Sequence, residues 1–242
     1  MAARATHPCT MPALHPRGRG RGSIWIMALM MLDLDNTLID RDAAFRSAAV
    51  DFLAAHDLPD DDLTWLLEAD ASGYAPRQTL AEGIAARYPG EVTIEEVRAL
   101  TDFGAAERVV LAETTGHALA AARRAGWKLV IVTNGRGPQQ LAKIRNTGLD
   151  VLVDAWIISG DIGLQKPDPR VFAAAAEAIG ESLDGGWMIG DSPQHDIAGA
   201  HASGLRSVWI SAATSWSEPG YQPTYVTADV ADAIRYVVAQ RT

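Results

Sequence analysis

The stretch LMMLDLDNTLID (29–40) sets two carboxylates, Asp33 and Asp35, two residues apart at the end of an apolar run. Side chains at i and i+2 of a β-strand point to the same side, so both acids are expected to leave the carboxyl edge of a buried strand together. That edge is where open α/β sheets bind ligands. Two like charges at this spacing repel, and both stay ionised near neutral pH only beside a compensating cation or with a shifted pKa. Mg²⁺, hard and oxygen-seeking, suits the pair. The same residues also fit a strand that ends in a polar turn, so the weight of the pair depends on what lies downstream.

Three more strand ends supply candidates. Thr133 and Asn134 close the apolar segment KLVIVTNG (128–135). A hydroxyl, an amide and the flexible Gly135 can hold an oxyanion, or equally form a turn before a helix. Lys166 stands in the proline-bounded GLQKPDPRVF (163–172), where its ammonium can neutralise a phosphate or a nucleophilic carboxylate, although taken alone it reads more readily as a solvated surface lysine. In GWMIGDSPQHDIAGA (186–200) Asp191 ends a strand as Asp33 does, and Asp196 follows in the first turns of a helix. Gly190 leaves room for close approach, and Ser192 or Asp191 suits the helix cap. A second strand-end carboxylate completes an oxygen-rich metal site.

The elements that must position these residues alternate. Helices are expected at 117–126, 138–147, 170–179, 193–203 and 227–240. Strands are expected at 128–135, 155–159, 187–191 and 207–210, with a short one near Tyr225. Near-continuous apolar strands alternating with helices imply an α/β fold, a doubly wound parallel sheet covered on both faces. Between Asp35 and Thr133 the pattern is helical instead, over 42–56, 63–69, 77–88 and 93–111, with turn signals between. The chain therefore divides into an irregular, disordered tail (1–23), an α/β core (24–40 and 113–242) and an inserted helical bundle (41–112), with Trp65 in the bundle's own core.

Apolar residues make up 48% and charged residues 21%, enough for a sizeable core. The net charge is −9 although the first 31 residues carry four arginines and no acid, so the remainder is more acidic still. That balance speaks against nucleic acid as a partner. An anionic substrate fits only where a metal and one or two basic residues focus positive charge. Cys9 is the single cysteine, which rules out an internal disulfide or a cysteine-rich zinc site and suits a reducing cytoplasm. The apolar SIWIMALMML runs into Asp33 without a small-residue cleavage site and is short for a bilayer, so it reads as a lead-in to the first strand rather than a membrane anchor.

Taken in order, DLDNT, VTN, Lys166 before proline and GDSPQHD resemble the four motifs of the phosphatases of the haloacid dehalogenase-like superfamily. The helical insert between the first two motifs resembles the cap of that superfamily's first subclass. The resemblance implies sheet order 5-4-1-2-3, with the strands of Asp33 and Asp191 side by side. It implies Asp33 as a nucleophile forming an aspartyl-phosphate and Asp35 as the acid and base. Mg²⁺ would be held by Asp33, the Asp35 backbone carbonyl and Asp191, with Asp196 in support. Thr133, Asn134 and Lys166 would hold the phosphoryl oxygens. His195 stands where many relatives carry Asn and reads as a surface helix residue. The expected activity is Mg²⁺-dependent hydrolysis of a small phosphorylated metabolite. A phosphomutase or phosphotransferase on the same fold is the nearest rival. A receiver-like signalling module is a more distant one, disfavoured by the insert and by the leaving-group acid. Within SGYAPR (72–77), Tyr74 and Arg77 are the cap's candidates for substrate contact, although an interhelical turn with Arg77 merely exposed is the favoured reading.

Overall fold

A computed structural model describes residues 28–211 and 215–240; the expected tail over 1–23 and Cys9 lie outside the described residues. Strand β1 (Leu29–Leu32) is buried along its whole length. Met30 and Leu32 pack with Phe45, Leu119 and Ile144 on one face of the sheet, while Leu29 and Met31 pack with Val171, Phe172 and Ala175 on the other. A period-two alternation with apolar cores on both sides is why the run is apolar at every position.

Strands β2 (Lys128–Thr133), β3 (Ala155–Ile158), β4 (Trp187–Gly190), β5 (Arg206–Ile210) and β6 (Tyr225–Thr227) complete one sheet. The order is β3-β2-β1-β4-β5-β6, and every pairing is parallel. The expected 5-4-1-2-3 arrangement is present, with β6 added beyond β5. Helices α5 (Glu113–Arg124), α6 (Gly137–Asn146), α7 (Ser159–Ile162), α8 (Pro169–Ala178), α9 (Ala198–Ala202) and α10 (Val230–Ala239) make the connections and cover the faces. Because the strands are parallel, β1, β2 and β4 deliver their carboxyl ends to one edge. No helix among the described residues is long and apolar enough to cross a membrane.

Between β1 and β2 stand α1 (Arg41–Ala55), α2 (Asp62–Asp70), α3 (Arg77–Arg87) and α4 (Ile94–Phe103), the cap. Trp65 is partly buried there, edge-on to Tyr88 at 6.3 Å between ring centres. The helix expected over 93–111 is shorter than its periodicity suggested. Thr93 opens it with a capping box, and it ends at Gly104, where a Cβ would lie 2.5 Å from Leu100 O and 3.0 Å from Ala48 Cβ. The chain then returns to the core, and Leu111 pairs with Ile39 in an isolated antiparallel bridge. The helix expected over 193–203 also differs. Its first turn, Pro193–Ile197, is widened to a π-helix before α9 begins. Wide turns of this kind recur at functional sites.

Candidate active site

The β1–β4 ladder continues one residue past β1, where Asp33 N donates to Ile189 O at 2.9 Å. This fixes Asp33 beside the end of β4. Its carboxylate accepts from Lys166 Nζ at 2.5 Å, in a pair that is buried on both sides. The same ammonium lies 2.7 Å from Asp196 Oδ1. The widened turn lets Asp196 fold back on its own segment, so that Oδ2 accepts from Ser192 N at 3.0 Å while Oδ1 faces Lys166. Gly190 is required for this: a Cβ there would lie 2.2 Å from Asp196 Oδ2. Asp191 follows β4, anchored through its carbonyl by Trp209 Nε1 at 2.8 Å. Carboxylate oxygens of Asp33, Asp191 and Asp196 all lie within 4.8 Å of one another.

One lysine does not balance three acids in so dry a place. Burial, opposed by Lys166, pushes Asp33 up to about 7, and burial together with Asp33 and Asp196 pushes Asp191 up to about 8. Lys166 shows the complement: burial alone would lower its pKa, but Asp196 and Asp33 outweigh it and hold the ammonium charged. Asp196 Oδ1 is buried and faces the Lys166 ammonium, which it shares with Asp33. A convergent, charge-deficient set of carboxylate oxygens is the donor chemistry that a hard divalent cation fits.

Asp35 does not follow the strand period. The extended backbone ends at β1, Asn36 takes a left-handed φ of 57°, and Asn36 Oδ1 accepts from Asp42 N at 3.1 Å. The turn brings the Asp35 side chain against α6. Lys143 Nζ reaches both its oxygens at 2.7 Å, and Gln140 Nε2 donates to Oδ2 at 3.0 Å. The Asp35 carboxylate accordingly lies outside the Asp33–Asp191–Asp196 cluster. Gln140 also donates to Thr133 Oγ1 at 2.6 Å, and its Oε1 accepts from Lys143 at 2.8 Å. Gln140 and Lys143 escaped the sequence reading. The available signal was two polar residues, three apart, on the stripe of α6 that also carries Ile144 and is buried.

Asn134 is used differently from the expectation that it holds phosphoryl oxygens. Its Nδ2 donates to Lys166 O at 3.0 Å and its Oδ1 accepts from Lys166 N at 2.9 Å. With both ends of the amide engaged, Asn134 clamps the backbone of the Lys166 loop to the end of β2. Tyr74 reaches the core from the cap and stacks on His195, with ring centres 5.4 Å apart and planes 15° apart. His195 is thus half-covered and held by Ser192 Oγ at 2.9 Å, not a free surface residue. Arg77 points elsewhere: its Nη1 donates to buried Asp70 at 2.9 Å and to Thr101 O at 3.3 Å. Both the substrate-contact and the exposed-turn expectations for it give way to an ion pair inside the cap. A cavity of about 1020 Å³ opens between Tyr74, the linkers at Thr37 and Ala112, and Asp191, Gln194 and Asp229.

Comparison with known proteins identifies the family and the fold. The chain is 38% identical to a phosphoserine phosphatase of Thermus thermophilus over 46% of its own length and 45% of that protein. It is 31% identical to the pyrimidine 5'-nucleotidase YjjG of Escherichia coli over 44% of its length and 48% of that protein. The chain spans about half the length of the curated relatives it matches. The crystal structure of the putative HAD-hydrolase YfnB from Bacillus subtilis, bound to magnesium, superposes with a TM-score of 0.72 at 22% identity, over 87% of this chain and 98% of that one, which establishes a shared fold. A family model described as haloacid dehalogenase-like hydrolase matches residues 27–204, from the lead-in to β1 through the widened turn that carries Asp196. The chain belongs to the haloacid dehalogenase-like hydrolase family.

Proposed function

We propose that the chain hydrolyses a small organophosphate monoester, with Mg²⁺, through an aspartyl-phosphate on Asp33. The observation that carries this reading is the convergence of Asp33, Asp191 and Asp196 within 4.8 Å, with the buried ammonium of Lys166 paired to Asp33 and Asp196. A phosphate monoester is anionic, so an anionic attacker needs charge neutralisation and in-line positioning more than any other help. Mg²⁺ would be held by Asp33, Asp191 and the Asp35 backbone carbonyl, with Asp196 in support, and would supply the positive charge that lets a carboxylate meet an ester dianion.

The chain's own residues account for the rest. An Asp33 carboxylate oxygen attacks phosphorus, an O–P bond forms, and the ester P–O bond breaks with its electron pair on the leaving oxygen. Asp35 in its protonated form gives that oxygen its proton. Water then attacks the phosphoryl group, Asp35 takes the water's proton, and the Asp33–phosphate bond breaks to release inorganic phosphate. Lys166 and Thr133 hold phosphoryl oxygens as charge shifts. Asn134 keeps the Lys166 loop in place. Thr133 Oγ1 already accepts from Gln140, which leaves its own proton for a phosphoryl oxygen. The relatives named as phosphoserine phosphatase and pyrimidine 5'-nucleotidase act on esters of this class, which supports the reading.

Purified chain with Mg²⁺ is expected to release inorganic phosphate from some members of a panel of phosphorylated metabolites. Asp33→Asn is expected to reduce that release by at least about 10³-fold while the protein stays folded. Transfer of phosphate to an added sugar hydroxyl, with no release to water, is the result that would replace hydrolysis by a mutase or transferase.

A further inference from the structure

Asp35 has to take a proton from one particular water, so the direction of its carboxylate matters as much as its presence. The turn beyond β1 brings the side chain to α6, but with that side chain a quarter exposed it leaves the carboxylate free to rotate. Lys143 does fix it. The lysine is buried to 2% exposure on the inward stripe of α6, and its ammonium stands 2.7 Å from each Asp35 oxygen. A cation equidistant from both oxygens holds the carboxylate against rotation about its Cβ–Cγ bond. Gln140, one turn earlier, adds a third bond at 3.0 Å to Oδ2. Lysine has no acceptor, so Gln140 must turn its Oε1 to Lys143, and this sends its NH₂ to Asp35 and Thr133. All three donated bonds leave Asp35 an acceptor, the form in which it takes a proton from water.

We propose that Lys143 and Gln140 are positioning residues that aim the Asp35 carboxylate for the water-activating half of the reaction. The inference rests on the phosphatase reading and deepens it. In that half, the water oxygen bonds to phosphorus, a water proton passes to Asp35, and the Asp33–phosphate bond breaks with its electrons returning to the Asp33 carboxylate. The proton held by Asp35 then serves the next leaving oxygen. With an ester whose leaving group needs no proton, removing the Lys143 ammonium is expected to slow this half and to leave attack by Asp33 largely intact, so that Asp33 accumulates covalent phosphate.

p-Nitrophenyl phosphate separates the halves, because its leaving group departs without a proton. With this probe kcat/KM reports only the transfer to Asp33, while acid quenching of radiolabelled protein reads the decay of the phosphorylated aspartate. Lys143→Met is expected to slow that decay by about 100-fold, the scale of one misaimed general base. Its kcat/KM is expected to stay within about 5-fold of wild type. Gln140→Leu, the milder change, is expected to slow the decay by about 5-fold, the scale of one hydrogen bond. Unchanged decay in whichever variant folds overturns the proposal, as does an equal fall in kcat/KM and decay in Lys143→Met, the mark of general damage; Gln140→Leu also releases Thr133, so only its decay is read. If wild-type protein cleaves neither this probe nor any phosphorylated metabolite, the phosphatase reading itself fails and takes the inference with it.

Discussion

In the core, three clustered carboxylates share one ammonium, which pairs with two of them; in the cap, one carboxylate takes two guanidinium groups. Asp70 is 1% exposed and accepts from Arg41 Nη1, from Arg41 Nη2 at 2.8 Å, from Arg77 Nη1 at 2.9 Å and from Gly73 N at 2.9 Å. Burial alone would raise the Asp70 pKa, but Arg41 and Arg77 outweigh it and hold the group below the usual carboxylate range. Asp33 and Asp191 move the opposite way. Burial is common to both clusters; what differs is the balance of charge. The cap cluster has its acid fully satisfied and reads as a fixture that ties α1, α2 and α3 together. The core cluster is short of positive charge and reads as a place that awaits some.

If that contrast is right, stability should respond to Mg²⁺ very differently at the two sites. Lys166→Met leaves Asp33 and Asp196 without their cation, and a metal-free loss of about 3–5 kcal/mol is expected in denaturant unfolding. Mg²⁺ should return part of that loss, giving the variant a larger Mg²⁺-induced increment than wild type. Asp70→Ala strands two buried guanidinium groups and should cost a similar amount, about 3–5 kcal/mol. Its Mg²⁺ increment should equal that of wild type. Equal increments in all three proteins would dissolve the distinction between the clusters. For wild type, free Mg²⁺ at 100 times its Kd is worth about 2.7 kcal/mol, and Asp191→Asn should abolish it.

Acid titration sharpens the cap side. A carboxyl whose pKa is lowered by folding contributes stability that is present above its unfolded value, here 3.8, and lost as pH falls through the folded value. Wild type should therefore lose cap stability on acidification below about pH 4. Asp70→Asn, which has no carboxylate to protonate, should show a flatter acid limb in the same unfolding series. An unchanged limb would mean that the Arg41–Asp70–Arg77 cluster contributes nothing measurable.

The sequence made the two clusters unequally legible. Asp33, Asp191 and Asp196 stand at or just beyond strand ends, and a parallel sheet sends such ends to one edge, so their meeting followed from the fold. Lys166 taken alone looked like a solvated surface lysine, and only the resemblance of the motifs in order assigned it to the site. Asp70, Arg41, Gln140 and Lys143 were not legible, because each lies within a helix whose polar residues look solvated until the partner is known. Lys143 and Asp35 are 108 residues apart, and only the turn at Asn36 brings them together. Asp35 itself was misdirected by extending the strand period two residues past the point where the strand stops. The widened first turn at Pro193 was equally hidden, since helical periodicity cannot distinguish an α-turn from a π-turn over five residues.

The smallest expected effect lies where the cap touches the core. Tyr74 is 61% exposed, yet its ring stacks on His195, one residue from Asp196. It is carried there by a loop in which Ala71, Ser72 and Gly73 all take left-handed backbone angles, with φ of 49°, 50° and 86°. Ala and Ser pay a conformational cost for that geometry, and Asp70 holds it by accepting from Gly73 N at 2.9 Å. The fixture of the cap thus aims Tyr74 at the cavity beside Asp191. Tyr74→Ala should change unfolding free energy by no more than about 1 kcal/mol, the scale of one ring pair at the surface. It should leave the Mg²⁺ increment untouched and raise KM for whichever ester the panel identifies. A larger stability loss would place Tyr74 with the cap fixture; a lost Mg²⁺ increment would place it with the core cluster, through His195.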